Sequence, residues 1–308
     1  MIETQQLKKA YGSHEALKGI DLQVESGDVY GFIGPNGAGK TTTIRILTTL
    51  LQPTEGSATI DGLSVTDDPS RIRGMIGYMP DDFGVYQDMT VTEYLHFFAA
   101  AYGIDRSGRD SLVGGLLELV DLSVKADSLI DALSRGMQQR LGLARTLVHD
   151  PKVLILDEPA SGLDPRARIE IREILRELQR MGKTILLSSH ILSELQSICT
   201  RIGILEQGEL VAQGTVAEVV AQTQAHADVQ LRTTDDPRAA VVVQEVPGVL
   251  TSNHEADDDA VALTVAHDLD LAAITALLAD RGIHIRHLER RDPSLEDVFM
   301  TLTRGAVS

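Results

Sequence analysis

The sequence predicts an α/β chain in two parts, one over residues 1–219 and a small α/β domain over residues 220–308. Three observations carry that division. Short, mainly apolar runs at Val29–Ile33, Val153–Leu156 and Thr184–Ser189 suit strands buried on both faces. Helical period dominates from Val91 to about Ser128, with Tyr94, Leu95 and Phe98 followed by Leu112, Leu116, Leu119 and Leu122. After Val220 the texture changes: residues 221–228 are polar and rich in Ala and Gln, as in a linker, and short strands and helices then alternate again. No internal repeat or low-complexity tract appears.

Residues 1–33 alternate through Ile20, Leu22 and Val24, which predicts an antiparallel β layer running into the strand Val29–Ile33. A helix should open at Thr41 and run through Leu47. Ser57–Ile60 and Met75–Met79 read as strands separated by the turn-rich Asp67–Ser70. A helix opens in Leu133–Arg140 and continues through Arg145, while residues 166–181 form an amphipathic helix. Gly203–Ala212 reads as a hairpin around Gln207-Gly208. In the second part the expected order is a strand at Val229–Arg232, a helix or strand through 237–246, and a strand at Val261–Val265. A helix over 270–280, a strand over 283–288 and a closing helix from Ser294 complete it. The acidic run Glu255–Asp259 reads as a solvated loop.

The richest stretch is Gly34-Pro35-Asn36-Gly37-Ala38-Gly39-Lys40-Thr41-Thr42, which fits G-x-x-x-x-G-K-[ST] between a strand and a helix. Glycines let successive N–H groups converge on one anion, and the helix N-terminus adds its positive end. Lys40 suits the β- and γ-phosphates and the Thr41 hydroxyl suits Mg²⁺. These residues predict binding of ATP or GTP. Downstream, the strand Val153–Leu156 delivers Asp157-Glu158-Pro159 to its C-terminal edge, where an open α/β sheet places reactive groups. Ser161-Gly162-Leu163-Asp164 follows, and the strand Thr184–Ser189 ends in His190. Hydrolysis of a phosphoanhydride needs an activated water and neutralised leaving oxygens. Glu158 is the candidate base or water-positioner, Asp157 the candidate Mg²⁺ holder, and His190 the candidate γ-phosphate contact.

Composition narrows the class. The formal charge is −17, with 45 Asp and Glu against 28 Lys and Arg, which disfavours nucleic acid and unaided docking on an anionic leaflet. Apolar runs are of strand length, short of the roughly 18 residues that span a bilayer. Cys199 is the single cysteine, so no internal disulfide forms, and the chain suits a reducing compartment. The N-terminus lacks the basic-then-apolar order of a secretory signal.

Phosphate loop, Leu133-Ser134-Arg135-Gly136-Met137-Gln138-Gln139-Arg140, Asp157-Glu158-Pro159, Ser161-Gly162-Leu163-Asp164 and a strand-end histidine occur in one order. In that order residues 1–219 resemble the ATP-binding subunit of an ABC transporter. The signature wording is similar to the exporter branch whose membrane partner is an ABC-2 type permease. Pro293-Ser294-Leu295-Glu296-Asp297-Val298-Phe299 resembles the small C-terminal domain of that branch. The resemblance implies a P-loop NTPase ABC ATPase domain, with a mixed core sheet, an antiparallel β layer and a helical subdomain, plus a small α/β C-terminal domain. It implies ATP and Mg²⁺ as cofactors, Tyr11 stacked on adenine, and a head-to-tail homodimer formed on ATP. In that dimer Ser134 and Gly136 at a helix N-terminus hold the γ-phosphate bound by the partner's Lys40, with Asp164 at the seam. As a loop residue Asp164 equally suits capping of the helix that follows. The place implied is the cytoplasmic face of the membrane, reached through the permease.

The chain departs from the family at Asp81, where Gln is usual, at Arg135 and Met137 in the signature, and at Ala160. Asp81 can still serve as an oxygen ligand for Mg²⁺. Residues 82–98 would line the groove for a permease helix, with Phe83, Val85, Tyr86 and Met89 apolar there. The alternative reading is a soluble ABC ATPase without a membrane partner. A GTP switch leaves the signature without a role.

Overall fold

A computed structural model describes residues 1–303 apart from 83, 85, 87, 223–225, 256–259, 267 and 292–294. Phe83 and Val85 of the expected permease groove, and Pro293 and Ser294, therefore lie outside the described residues. The chain divides into two compact units, Met1–Val216 and Ala217–Ser308. The division falls at the head of the helix Val216–Gln222, slightly ahead of the change of texture at Val220.

The first unit is built on a six-stranded sheet. Its order is Glu209–Thr215, Arg201–Glu206, Val29–Ile33, Thr184–Ser189, Val153–Leu156 and Ile76–Met79. All neighbours are parallel except the hairpin Arg201–Glu206 with Glu209–Thr215, so the sheet is mixed. Val29–Ile33, Val153–Leu156 and Thr184–Ser189 are buried at every residue, as central parallel strands must be. A second, antiparallel sheet holds His14–Ile20, Ile2–Tyr11, Glu55–Ile60 and Leu63–Ser64, with Gln23–Val24 paired to Ile2–Tyr11. Ile2, Leu7, Ile20 and Ile60 from this layer join Phe32, Ile44, Ile46 and Leu186 in one core, which fixes the helix Lys40–Leu47 between the sheets.

The helical part contains Val91–Ala101, Arg106–Leu119 and Arg135–Leu147. Thr90 and Glu93 form a reciprocal capping box at the first of these. A further helix, Pro69–Met75, occupies the segment expected to be only a turn. Seven residues with Ile72 alone buried give no apolar stripe to read, although Asp68-Pro69 is a helix-start signal.

In the second unit all four strands pair antiparallel, in the order Val249–Glu255, Ala260–Ala266, His226–Thr233 and Ile285–Arg291. With the helices Asp236–Val242 and Leu271–Asp280 this gives a βαββαβ, ferredoxin-like unit. Ala227, Val229 and Leu231 alternate inward and pack with Ala239, Val243, Ile274 and Leu278. The open choice over 237–246 resolves as helix and a 3₁₀ turn, begun where the Asp235 carboxylate accepts from Arg238 N at 3.2 Å. Val249–Glu255 was not expected as a strand. It sits at the sheet edge, and Val-Leu-Thr-Ser-Asn-His-Glu carries too few apolar residues to alternate visibly.

Candidate nucleotide site

The loop 34–42 turns from the strand Val29–Ile33 into the helix Lys40–Leu47. Gly39, the residue before that helix, has φ +109°, and a Cβ there would stand 2.6 Å from Leu17 Cδ2 and 2.9 Å from Ala16 O. Dihedral and space both demand glycine. No acidic residue sits in the first helical turn, so its positive end stays available to an anion. Lys40 is buried and folds back to donate to Gly34 O at 2.5 Å and Pro35 O at 3.4 Å. Burial lowers its pKa, against the opposing pull of the Glu158 and Asp157 carboxylates.

Asp157 is 2% exposed and its Oδ1 accepts from Ser188 Oγ at 2.6 Å; the same Oγ accepts from Glu158 N at 2.9 Å. Glu158 has φ +52°, a left-handed turn that costs a non-glycine residue about 1–3 kcal/mol. This turn answers the alternation problem: two successive strand residues would point to opposite faces, and here both carboxylates reach one cleft. Glu158 Oε1 lies 3.7 Å from Lys40 Nζ and Oε2 lies 2.7 Å from His190 Nδ1. The His190 side chain is 53% exposed, so it is no core histidine. The Asp81 carboxyl is pushed up by partial burial first, then by the charges of Asp157, Glu158 and Asp82, with Arg135 opposing.

These groups surround a cleft of about 310 Å³, lined by Tyr11, His14, Pro35, Asn36, Gly37, Gly39, Lys40, Thr41, Thr42, Asp81, Asp157 and Glu158. Gly34 and Ala38 of the same loop are buried. Tyr11 is 48% exposed at its mouth and pairs with His14 across the strand turn, with Lys9 Nζ 5.4 Å from its ring centre. Among the described residues no group of three or more His, Cys, Asp or Glu is gathered closely enough to hold a metal alone. The donor set instead suits a hard cation shared with phosphate oxygens.

Ser188 and His14 were not singled out from sequence. A serine closing a buried strand and a histidine in a hairpin carry no spacing signal; only the step from Ser188 to His190 hints at the former. Ser188→Ala leaves the buried Asp157 Oδ1 and the Glu158 N–H short of a partner. Stability should fall by about 1–3 kcal/mol in denaturant unfolding, and an unchanged midpoint would contradict this tie.

Ser134, Gly136 and Asp164 do not line that cleft. They meet at a second cavity of about 300 Å³ that also touches Met137, Arg140 and Glu170. Ser134 caps the helix Arg135–Leu147, accepting from Met137 N at 3.3 Å. Asp164 caps the helix Pro165–Arg180, accepting from Ala167 N at 2.9 Å.

A strand–loop–helix phosphate cradle on a mixed sheet, with an acidic pair at the end of the strand two places along, defines a P-loop nucleoside-triphosphatase. The family model described as "ABC transporter" matches residues 17–161, and that of the "ATP-binding protein DrrA1-3-like, C-terminal domain" matches residues 214–303. The chain is 31% identical over 310 residues to the linearmycin resistance ATP-binding protein LnrL of Bacillus subtilis, covering 98% of each. It is 34% identical to the bacitracin transport ATP-binding protein BcrA of Bacillus licheniformis, over 99% of this chain and 98% of that one. It is also 34% identical to the daunorubicin resistance ATP-binding protein DrrA3 of Streptomyces coeruleorubidus, over 96% and 93%. Among solved structures, an ATP-binding subunit of an ABC transporter superposes with TM-score 0.65 at 32% identity, over 72% of this chain and 92% of that one. A dimeric ATP-binding cassette with ADP and Pi gives 0.64 at 26%, over 70% and 99%. The chain belongs to the ABC transporter family, with the DrrA-like C-terminal domain. It is an exporter ATPase that hydrolyses ATP in coupling with transport. Among the described residues no helix is long and apolar enough to cross a membrane.

Proposed function

We propose that two copies of this chain close head to tail on ATP and that hydrolysis reopens them, driving an ABC-2 type permease from the cytoplasmic face of the membrane. One observation carries the reading. Within a single chain the phosphate cleft and the capped signature helix at Ser134 lie at two different cavities, which favours a second chain that brings them together. The dimeric, ADP- and Pi-bound neighbour supports it.

Tyr11 stacks on adenine, while the loop N–H groups and Lys40 hold the β- and γ-phosphates. Thr41 and Asp157, with Asp81 beside them, would hold Mg²⁺, which neutralises charge on the phosphate oxygens. Lys40 and Glu158 hold each other across the cleft. A γ-phosphate seated on Lys40 takes up that ammonium, and Glu158 Oε1 is then free to accept a proton from the attacking water. His190, bonded to Glu158 Oε2, fixes the carboxylate and contacts the γ-phosphate. Ser134 and Gly136 present the partner's phosphate with an unneutralised helix N-terminus.

The permease side is supported by aromatic surface. Tyr86 and Phe97 are 52% and 43% exposed and their rings lie 5.4 Å apart, with Phe98 5.2 Å from Phe97. Met89 is half-buried beside them. Isolation of the tagged chain from gently solubilised membranes of its host should recover a polytopic membrane protein in stoichiometric amount. Recovery of the chain alone would refute the permease assignment.

A further inference from the structure

Arg135 stands in the signature where glycine is usual, and neither phosphate binding nor capping uses its side chain. Its guanidinium lies flat on Gly162, in the turn between Glu158 and Asp164. A Cβ on Gly162 would stand 2.6 Å from Arg135 Cζ, 2.8 Å from Nη1 and 2.7 Å from Nη2. Near-equal distances to all three atoms mean that the guanidinium plane covers the glycine. Gly162 also has φ +67°, so glycine is required there for dihedral and for space. Two more contacts join the same segments. A Cβ on Gly136 would meet Ala167 Cβ at 2.8 Å, so the signature helix sits directly against the first turn of the helix Pro165–Arg180. One turn on, Arg140 is 5% exposed and its Nη2 lies 3.5 Å from Glu170 Oε2.

We infer that Arg135 is a positioning residue that clamps the signature helix to the Glu158–Asp164 turn of its own chain, so that a partner's phosphate on Ser134 sets the aim of Glu158. The inference rests on the dimer reading above. Its physical basis is the strained turn at Glu158: a residue held at φ +52° keeps its direction only while its surroundings fix it. Gly162 is four residues downstream in that turn, and Ser134, which would touch the other chain's nucleotide, is bonded directly to Arg135. One side chain therefore touches the loop behind the catalytic carboxylate. Lysine offers no flat, delocalised face for this contact.

The test is steady-state ATP hydrolysis by the full chain as wild type, Arg135→Ala, Gly162→Ala and the double variant, with labelled-ATP binding measured alongside. Arg135 is solvent-exposed, so its truncation leaves the core in place. Arg135→Ala should lower kcat about fivefold or more and bring the Hill coefficient for ATP to about 1, with ATP affinity unchanged. Gly162→Ala, which displaces the guanidinium, should do the same. The double variant should be no slower than Gly162→Ala, whose dihedral strain comes on top of the lost contact, and effects that multiply would overturn the clamp. The mass of Glu158→Gln with ATP separates the two readings. Absence of a dimer there would fell the dimer reading and this inference with it. A dimer, together with Arg135→Ala as fast and cooperative as wild type, would overturn the inference alone.

Discussion

Glu158→Gln is expected to lower kcat for ATP by about 10²–10⁴ while ATP still binds, because the amide keeps the size of the side chain and loses its basicity. The geometry makes this substitution informative. Glu158 holds two partners, Lys40 at 3.7 Å and His190 at 2.7 Å, and Gln can keep a hydrogen bond to His190 through its carbonyl oxygen. It gives up the charge pairing with Lys40, whose ammonium then turns wholly to phosphate. Binding should therefore be retained or tightened, and the ATP-closed state should accumulate. Single-turnover hydrolysis and nucleotide retention on a desalting column read the two halves separately. Hydrolysis at the wild-type rate would remove Glu158 from the chemistry.

Ser134→Arg should abolish ATP-dependent association and lower turnover about 100-fold or more, while each chain still binds ATP. Ser134 is exposed and caps the helix Arg135–Leu147 through Met137 N. Loss of the cap costs about 1 kcal/mol, too little to unfold the unit. The larger effect is steric, since an arginine side chain fills the space in which the helix N-terminus would meet a phosphate. The cleft at Lys40 lies elsewhere in the same chain and is untouched. Equilibrium binding of a fluorescent ATP analogue, set against light scattering, distinguishes lost association from lost binding. Association persisting in this variant would place the signature outside the interface.

Much of this was legible in sequence, for reasons that differ between elements. The central strands read clearly because burial on both faces removes polar residues from Val153–Leu156 and Val29–Ile33. The phosphate loop read clearly because its glycines answer local demands, such as the φ of +109° at Gly39. Asp164 was open between a dimer seam and a helix cap; the cap is observed, and the seam stays compatible with it. What escaped was whatever depends on pairing at a distance. Ser188 bonds Asp157 and Glu158 from 30 or so residues away, and nothing about a serine in a buried strand announces that. The positive φ at Glu158 was equally hidden, since no glycine marks it. The strand Val249–Glu255 escaped because edge strands need not alternate, and the contact of Arg135 with Gly162 because it joins two separate motifs.

Closure of two chains around ATP is the central step, and the mass of the Glu158→Gln chain in solution tests it most directly. With Mg²⁺ and ATP it should rise to twice the 33.4 kDa of one chain, and return to one chain with ADP or in the Ser134→Arg background. A single-chain mass under saturating Mg²⁺ and ATP would contradict the account.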